Sequence, residues 1–324
     1  MQQMLKLMTK SGALKLKKNR NNLISKITLF SCVCLSAVLL CTACKTAPQV
    51  SYQTPDAFDV LDDEGAMYVS IPAKENGELL EKFITGFKLG VSENDAKAIV
   101  SKIDRIYASF GSRSDRNRIC VSAQANVPAA VTGLLKKNGY EEKFVTCDTV
   151  NGKNSGYKYL SSESIEMAFP SSKNVLISKD VVPMIKNYAF EELVLNGMYD
   201  FEIPYKPDWK ESDLYKWISE DTEAIHFYIV RPQSFLSNLL GSAVSTKTFK
   251  LNYAKGQFEK LPNTKYGLTL ELSFQEPRYI KPAMALLSLA LGLTDSETSQ
   301  VNMNTVKLSG VHVSSKQLIE MFGL

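Results

Sequence analysis

Few residues in this chain of 324 are placed to do chemistry. It holds two histidines, His226 and His312. Both fall in segments that read as strands, out of phase with the apolar sets Ile225, Phe227, Ile229 and Val311, Val313. In a split βαβ sheet the first and last strands are neighbours, which would bring the two rings close. No cysteine or carboxylate stands at ligand spacing around either ring. Both therefore read as sheet-face histidines, and no metal or cofactor is expected. No nucleophile has a marked setting: the sequence contains no G-x-S-x-G, no H-E-x-x-H and no P-loop. The acidic pairs Asp62-Asp63, Glu141-Glu142 and Glu191-Glu192 are adjacent in sequence, so their side chains point apart and form no acid–base dyad.

Cysteines and aromatic residues offer other uses. Of six cysteines, Cys32, Cys34, Cys41 and Cys44 crowd the N-terminus, leaving Cys120 and Cys147. An even pair in an exported protein suggests a disulfide, which would close a separation of 27 residues. Two buried thiols is the alternative. Tyr199, Phe201, Tyr205, Trp209, Tyr215 and Trp217 cluster in an acidic, proline-containing stretch. Such residues build platforms for carbohydrate or peptide, and they also pack connections onto domain surfaces.

The first 26 residues are basic and polar. Ile27 to Cys41 is an uncharged apolar run of 15, short for a spanning helix, which needs about 20. Small residues then close it, which is the pattern of a secretory signal. The ending Leu40-Cys41-Thr42-Ala43-Cys44 resembles the lipobox of bacterial lipoproteins, including the lax form familiar from spirochaetes. Cys41 departs from it, standing where Leu is usual. The resemblance implies cleavage before Cys44 and a diacylglycerol on its thiol. Residues 1–43 are then a signal peptide, and the mature protein is exported, held in the cell envelope by lipid rather than by a spanning helix. Lys45 follows the modified cysteine where Asp would favour the inner membrane, so the outer membrane is favoured.

Beyond residue 43 the chain carries 31 basic against 34 acidic residues. A charge of about −3 argues against a nucleic-acid partner, whose binding rests on phosphate neutralisation. Residues 44–65 have no clear periodicity and read as a lipid-anchored tether. Period-2 and period-3.6 patterns then alternate. Met67 to Ile71 is a strand. Ser92 caps a helix carrying Ala96, Ile99, Val100 and Ile103. Ile106 to Phe110 and Ile119 to Ala123 are strands, and Pro128 opens a helix that Gly139 ends. Further strands run to Ile177. After the irregular stretch 186–221 come strands at Ile225 to Val230, Phe249 to Tyr253 and Leu268 to Phe274. An apolar helix follows Pro277. Val306–Leu308 and Val311–Val313 suggest a hairpin ahead of a terminal helix.

Val175 to Ile185 aligns with Val311 to Phe322, each a strand, a serine and a short helix. The expectation is therefore α+β architecture: two tandem ferredoxin-like (split βαβ) domains, 66–185 and 222–324, joined by the connection 186–221. Their sheets would be antiparallel, with helices on one face. The expected function is a binding or scaffold module, without catalysis, for another envelope protein or polymer. Its contact surfaces would be the Trp209–Trp217 connection and the polar sheet face of Lys250, Asn252, Thr269, Glu271 and Ser273. An exported hydrolase with an unmarked site is the alternative.

Overall fold

The computed structural model describes residues 52–86, 92–111, 115, 117–128, 130–150, 152, 155–198, 207–233, 249–262, 265–291 and 296–321. Twelve strands hydrogen-bond into one sheet: β1 (Met67–Pro72), β2 (Ile103–Phe110), β3 (Ile119–Ala125), β4 (Glu141–Thr146), β5 (Gly156–Ser161), β6 (Glu166–Ser171), β7 (Asn174–Ser178), β8 (Ile225–Ile229), β9 (Leu251–Lys260), β10 (Lys265–Phe274), β11 (Glu297–Asn302) and β12 (Thr305–Ser314). Their order is β11-β12-β10-β9-β8-β1-β2-β3-β7-β6-β5-β4, and every neighbouring pair is antiparallel.

The mixed α+β composition is as expected, but the arrangement corrects the two tandem ferredoxin-like domains. β1 and β8, the first strands of the two expected domains, pair with each other from Met67↔Ile229 to Ser70↔His226. A split βαβ unit would instead insert its last strand beside its first. Each half does repeat one order, β1-β2-β3-β7-β6 against β8-β9-β10-β12-β11. The similar segments around Val175 and Val311 fall at matching places, β7 and β12.

The helices are α1 (Gly77–Gly86), α2 (Glu93–Val100), α3 (Ala130–Lys137), α4 (Val182–Leu195), α5 (Pro207–Glu211), α6 (Asp213–Ile218), α7 (Ile280–Leu291) and α8 (Ser315–Met321). Ser92 caps α2 by accepting from Asp95 N at 3.2 Å, and Ser212 caps α6 through Tyr215 N at 3.1 Å. Gly139, which follows α3, has φ 90°, the left-handed conformation that ends a helix.

Helices cover both faces of the sheet, not one. Along β1, Tyr68 and Ser70 point to one face while Met67 and Val69 point to the other, and all four are buried. The C-terminal half builds its core on the Met67/Val69 face. There Phe227, Phe258, Leu268, Leu270, Leu272, Val306 and Leu308 meet Ala283 and Leu287 of α7 and Leu318 of α8. The N-terminal half builds its core on the Tyr68 face, where Tyr107, Cys120 and Leu176 meet Met184, Ile185 and Tyr188 of α4. Ile71 and Ile106, on the Met67/Val69 face, pack under α1 and α2 around Leu80 and Val100.

Three local expectations change. The expected hairpin at 306–313 is one long strand, β12, whose register against β10 shifts between Leu268 and Leu270. The expected tether 44–65 is not free over its described part: Ala57, Phe58, Val60 and Leu61 are buried in the N-terminal core. Its turn is set by Asp56, whose carboxylate accepts from Phe58 N at 3.0 Å. Each large apolar side chain so buried stabilises the fold by about 1.5–3 kcal/mol. The irregular connection begins as the second half of α4, and its short helices α5 and α6 are docked.

Candidate functional site

The aromatic cluster of the connection lies over the Tyr68 face and is occupied by the chain itself. Phe58 sits with its ring centroid 5.2 Å from Tyr107, 5.6 Å from Trp209 and 5.0 Å from Tyr215. Trp209 also lies 5.7 Å from Tyr68. Below it, Asp59 accepts hydrogen bonds from the Tyr215 hydroxyl and from Lys210 Nζ, the latter at 3.0 Å. Lys210 also donates to Glu191 at 2.8 Å. Burial acts to lower the Lys210 ammonium, but its bonds to Glu191 and Asp59 outweigh that and hold it above the usual range. Burial pushes the Glu191 carboxyl up, partly offset by Lys210. A clamp closes the end of the segment: Gln53 N donates to Asn196 Oδ1 at 3.0 Å, and Asn196 Nδ2 donates to Gln53 O at 2.9 Å. Trp209, expected to be a contact residue, is thus part of a fastening. Tyr199, Phe201 and Tyr205 lie outside the described residues, as does Cys44.

Trp217 is also engaged. It stacks on His226 with centroids 4.3 Å apart and planes 5° from parallel. Its indole N–H donates to Phe227 O at 3.1 Å. His226 is 2% exposed, and its ring nitrogens face Trp217 O at 2.8 Å and Thr222 Oγ1 at 3.3 Å. His312 is on β12, with β10 and β9 between it and β8, so three strand spacings of ~4.8 Å put about 14 Å of sheet between the pair. The expected approach of the two histidines does not occur, because first and last strands are not neighbours here. Among the described residues no group of three or more His, Cys, Asp or Glu could hold a metal ion.

The cysteine pair is corrected for a related reason. Cys120 is on β3 and Cys147 follows β4, with β7, β6 and β5 between them. Four strand spacings amount to about 19 Å, far beyond the ~7 Å Cα limit of a disulfide. Both thiols are free. Cys120 lies buried with Sγ 3.7 Å from Ser178 Oγ, and burial pushes its thiol up.

The expected polar face is only partly one surface. Ser273 is buried, and Asn252 Nδ2 donates to Ser273 Oγ at 3.3 Å and to Phe274 O at 3.1 Å. Asn252 occupies a β-bulge: Ser273 pairs with Tyr253, yet Phe274 pairs with Leu251. One extra residue reverses the strand's faces. Leu251 therefore enters the C-terminal core, whereas Tyr253 turns to the other face and stacks on Tyr228 at 5.1 Å. Lys250, at the strand entrance, is exposed.

What remains is a row across the strands. Lys255 pairs with Glu271, Glu271 with Lys307, and Lys307 with Ser299, on β9, β10, β12 and β11. Direct cross-strand partners share a face. Lys255 Nζ stands 3.8 Å from Glu271 Oε2 and 5.0 Å from the Trp217 ring centroid. Thr269 lies one pair along, opposite Gln257. Sequence reading found Thr269 and Glu271 but missed Lys255, Gln257 and Lys307. The alternation of β9 after Tyr253 and of β12 could have revealed them.

The described residues form one continuous antiparallel sheet with helices on both faces, and among them no helix is long and apolar enough to cross a membrane. Residues 52–319 match the family described as outer membrane-associated lipoprotein TP0453, and the chain belongs to that family. It is thus a bacterial lipoprotein associated with the outer membrane. Solved structures agree in fold. Crystal form I of TP0453 is 18% identical, with a TM-score of 0.59 over 83% of this chain and 97% of that one. Crystal form III is 17% identical, with a TM-score of 0.57 over 85% and 99%. No curated protein sequence matches the chain.

Proposed function

We propose that the protein is a non-catalytic binding module, anchored through a lipid on Cys44, that holds another envelope protein through the row Lys255, Glu271, Lys307. The observation that carries this reading is the row itself. Its charges alternate across three adjacent strands, and Lys255 and Glu271 keep 22% and 29% of their side-chain exposure. A single part-exposed ion pair at 3.8 Å contributes little to folding, about 0–1 kcal/mol. A row of alternating charges serves recognition better than stability, because complementary charge fixes partner and register. Two ammonium groups flanking a carboxylate match an acid–base–acid row on the partner. Thr269, Gln257 and Lys250 extend the same flank, and an interface of standard size needs about 800 Å² per partner. Trp209, Tyr215 and Trp217 are not used, since their rings are already packed.

The test is crosslinking in the native envelope. Glu271→Lys combined with Lys307→Glu should remove the partner crosslinked by the wild type, while membrane association and thermal stability hold. An unchanged set of partners would sink the reading. The anchor is tested separately: Cys44→Ala should move the protein from the detergent to the aqueous phase of a Triton partition, because the lipid chains supply about 0.8 kcal/mol per buried CH₂. A wild type already in the aqueous phase would exclude it.

A further inference from the structure

The segment that precedes β1 is fastened differently from the strands. Its own backbone bonds close local turns, Asp59 N to Asp56 O at 3.2 Å and Leu61 N to Phe58 O at 3.1 Å. Its links to the rest of the described structure run through side chains. Asn174 Nδ2 donates to Pro55 O and Asn187 Nδ2 to Val60 O, each at 3.3 Å, and the Tyr68 hydroxyl donates to Asp62 O at 2.8 Å. Asn196 clasps Gln53 at the outer end, and Asp59 and Asp62 meet Lys210 and Arg118. The strand ladder begins at Ala66, whose N–H donates to Phe110 O at 3.0 Å and whose carbonyl accepts from Val230 N at 2.8 Å. Residues 53–65 can therefore lift while the sheet keeps its ladder.

Docking also leaves donors stranded. Trp209, whose ring lies 5.6 Å from that of Phe58, has its indole Nε1 buried without a partner, and so has Nη1 of Arg118 beside Asp62. Each regains water when the segment lifts, which offsets part of what the burial of Ala57, Phe58, Val60 and Leu61 contributes. The segment is thus held less firmly than the sheet it covers.

Chain length gives that difference a use. Cys44 and Gln53 are nine residues apart, so with the clasp closed Gln53 stands at most ~32 Å from the lipid, at ~3.6 Å per residue. Cys44 and Ala66 are 22 residues apart, a reach of up to ~79 Å. We propose that residues 53–65 are a latch on the tether. Docked, they hold the binding module close to its membrane; released, they let it reach a partner farther out. The gain in reach rests on the lipid at Cys44 proposed above, whereas the latch is a property of the folded chain.

Native-state hydrogen exchange of the full lipidated chain in detergent micelles tests the latch. The amides of Phe58, Asp59, Leu61 and Gly65 should exchange at least ~10-fold faster than those of β1 and β2, through an opening that urea hardly accelerates. Asn196→Ala, which removes the clasp, should speed that opening further and leave β1 unchanged. Exchange of the segment in step with β1 at every urea concentration would overturn the proposal, since residues 53–65 would then leave only when the sheet unfolds. The reach is read by neutron reflectometry of the lipidated protein on a supported phosphatidylcholine bilayer. The wild-type layer should start within ~32 Å of the bilayer surface. The triple variant Asn196→Ala, Asp59→Ala, Asp62→Ala should give a layer displaced and broadened outward. A variant whose segment exchanges freely while its layer stays in place would also overturn the proposal. A wild type that does not attach to the bilayer refutes the anchor instead, and the exchange rates still decide the latch.

Discussion

The two halves of the sheet repeat one strand order but secure it on opposite faces. In the C-terminal half the core is conventional: alternating strands β8, β9, β10 and β12 bury one face under α7 and α8. In the N-terminal half the sheet face carries small and polar residues, Ser70, Ser109, Ser122 and Ser178, among its aromatic ones. That face is covered by α4, α5, α6 and the segment just after the anchor. A sheet face rich in serine buries little apolar area, so the N-terminal half depends on rings brought from elsewhere in the chain. Arg105 strengthens the same attachment, donating to Ser70 Oγ at 3.1 Å, Asp221 Oδ1 at 2.6 Å and Thr222 O at 2.8 Å. The comparison teaches that a chain with the same topology twice need not stabilise it twice by the same means.

The largest effect should come from the borrowed ring. Phe58→Ala removes a fully buried aromatic contacting three others, and should cost about 3–5 kcal/mol in urea unfolding. A loss below about 1 kcal/mol would mean that residues 52–65 are a tether after all. Gly256→Ala strikes the other half. An added Cβ would lie 2.3 Å from Thr269 O and 2.7 Å from Phe227 Cζ, so β9 and β10 must separate, at about 3 kcal/mol. Because β1 and β8 join the halves, each substitution should lower one shared thermal transition. Two transitions, each responding to only one substitution, would restore the reading of two independent domains.

Lys210→Met should cost about 2 kcal/mol at pH 7, because Asp59 and Glu191 lose their cation; this is set below the range for fully buried pairs since Lys210 is 29% exposed. The folded-state value of Lys210 lies above its unfolded one. Its contribution is therefore complete below about pH 10 and disappears as pH rises through the folded value. Urea unfolding of wild type and variant should differ throughout pH 6–9 and converge only in strong alkali. The smallest effect is expected at the charge row: Glu271→Lys alone should change stability by less than about 1 kcal/mol. A larger loss would mark the row as a structural fastening like that of Lys210.

Local spacing in the sequence was sufficient for much of this. It located most strands, the Ser92 cap, the helix after Pro128 with its terminal Gly139, and the paired segments around Val175 and Val311. It also marked export and lipid anchoring, which belong to a signal read from an extended chain. It failed at the Asn252 bulge, where one unpaired residue turns Tyr253 away from Leu251's face, a shift that only the partner strand β10 defines. It failed again at Phe58, because a four-residue apolar cluster in a short turn has no period to detect. Trp209 and Trp217 looked like contact residues, since the sequence does not show which rings the chain will cover itself.

The amino-acid sequence determined most of the elements and the lipoprotein class, because each depends on side chains within a few residues of one another. Tertiary structure decided that β1 pairs with β8, fusing two expected domains into one sheet. It separated Cys120 from Cys147 and His226 from His312, and it packed Trp209, Tyr215 and Trp217 against the chain itself while leaving Lys255, Glu271 and Lys307 part-exposed. Those outcomes rest on hydrogen bonds between strand edges far apart in the chain. A backbone edge carries the same donors and acceptors whatever its side chains, so its partner is selected by packing of the whole chain and not by local pattern.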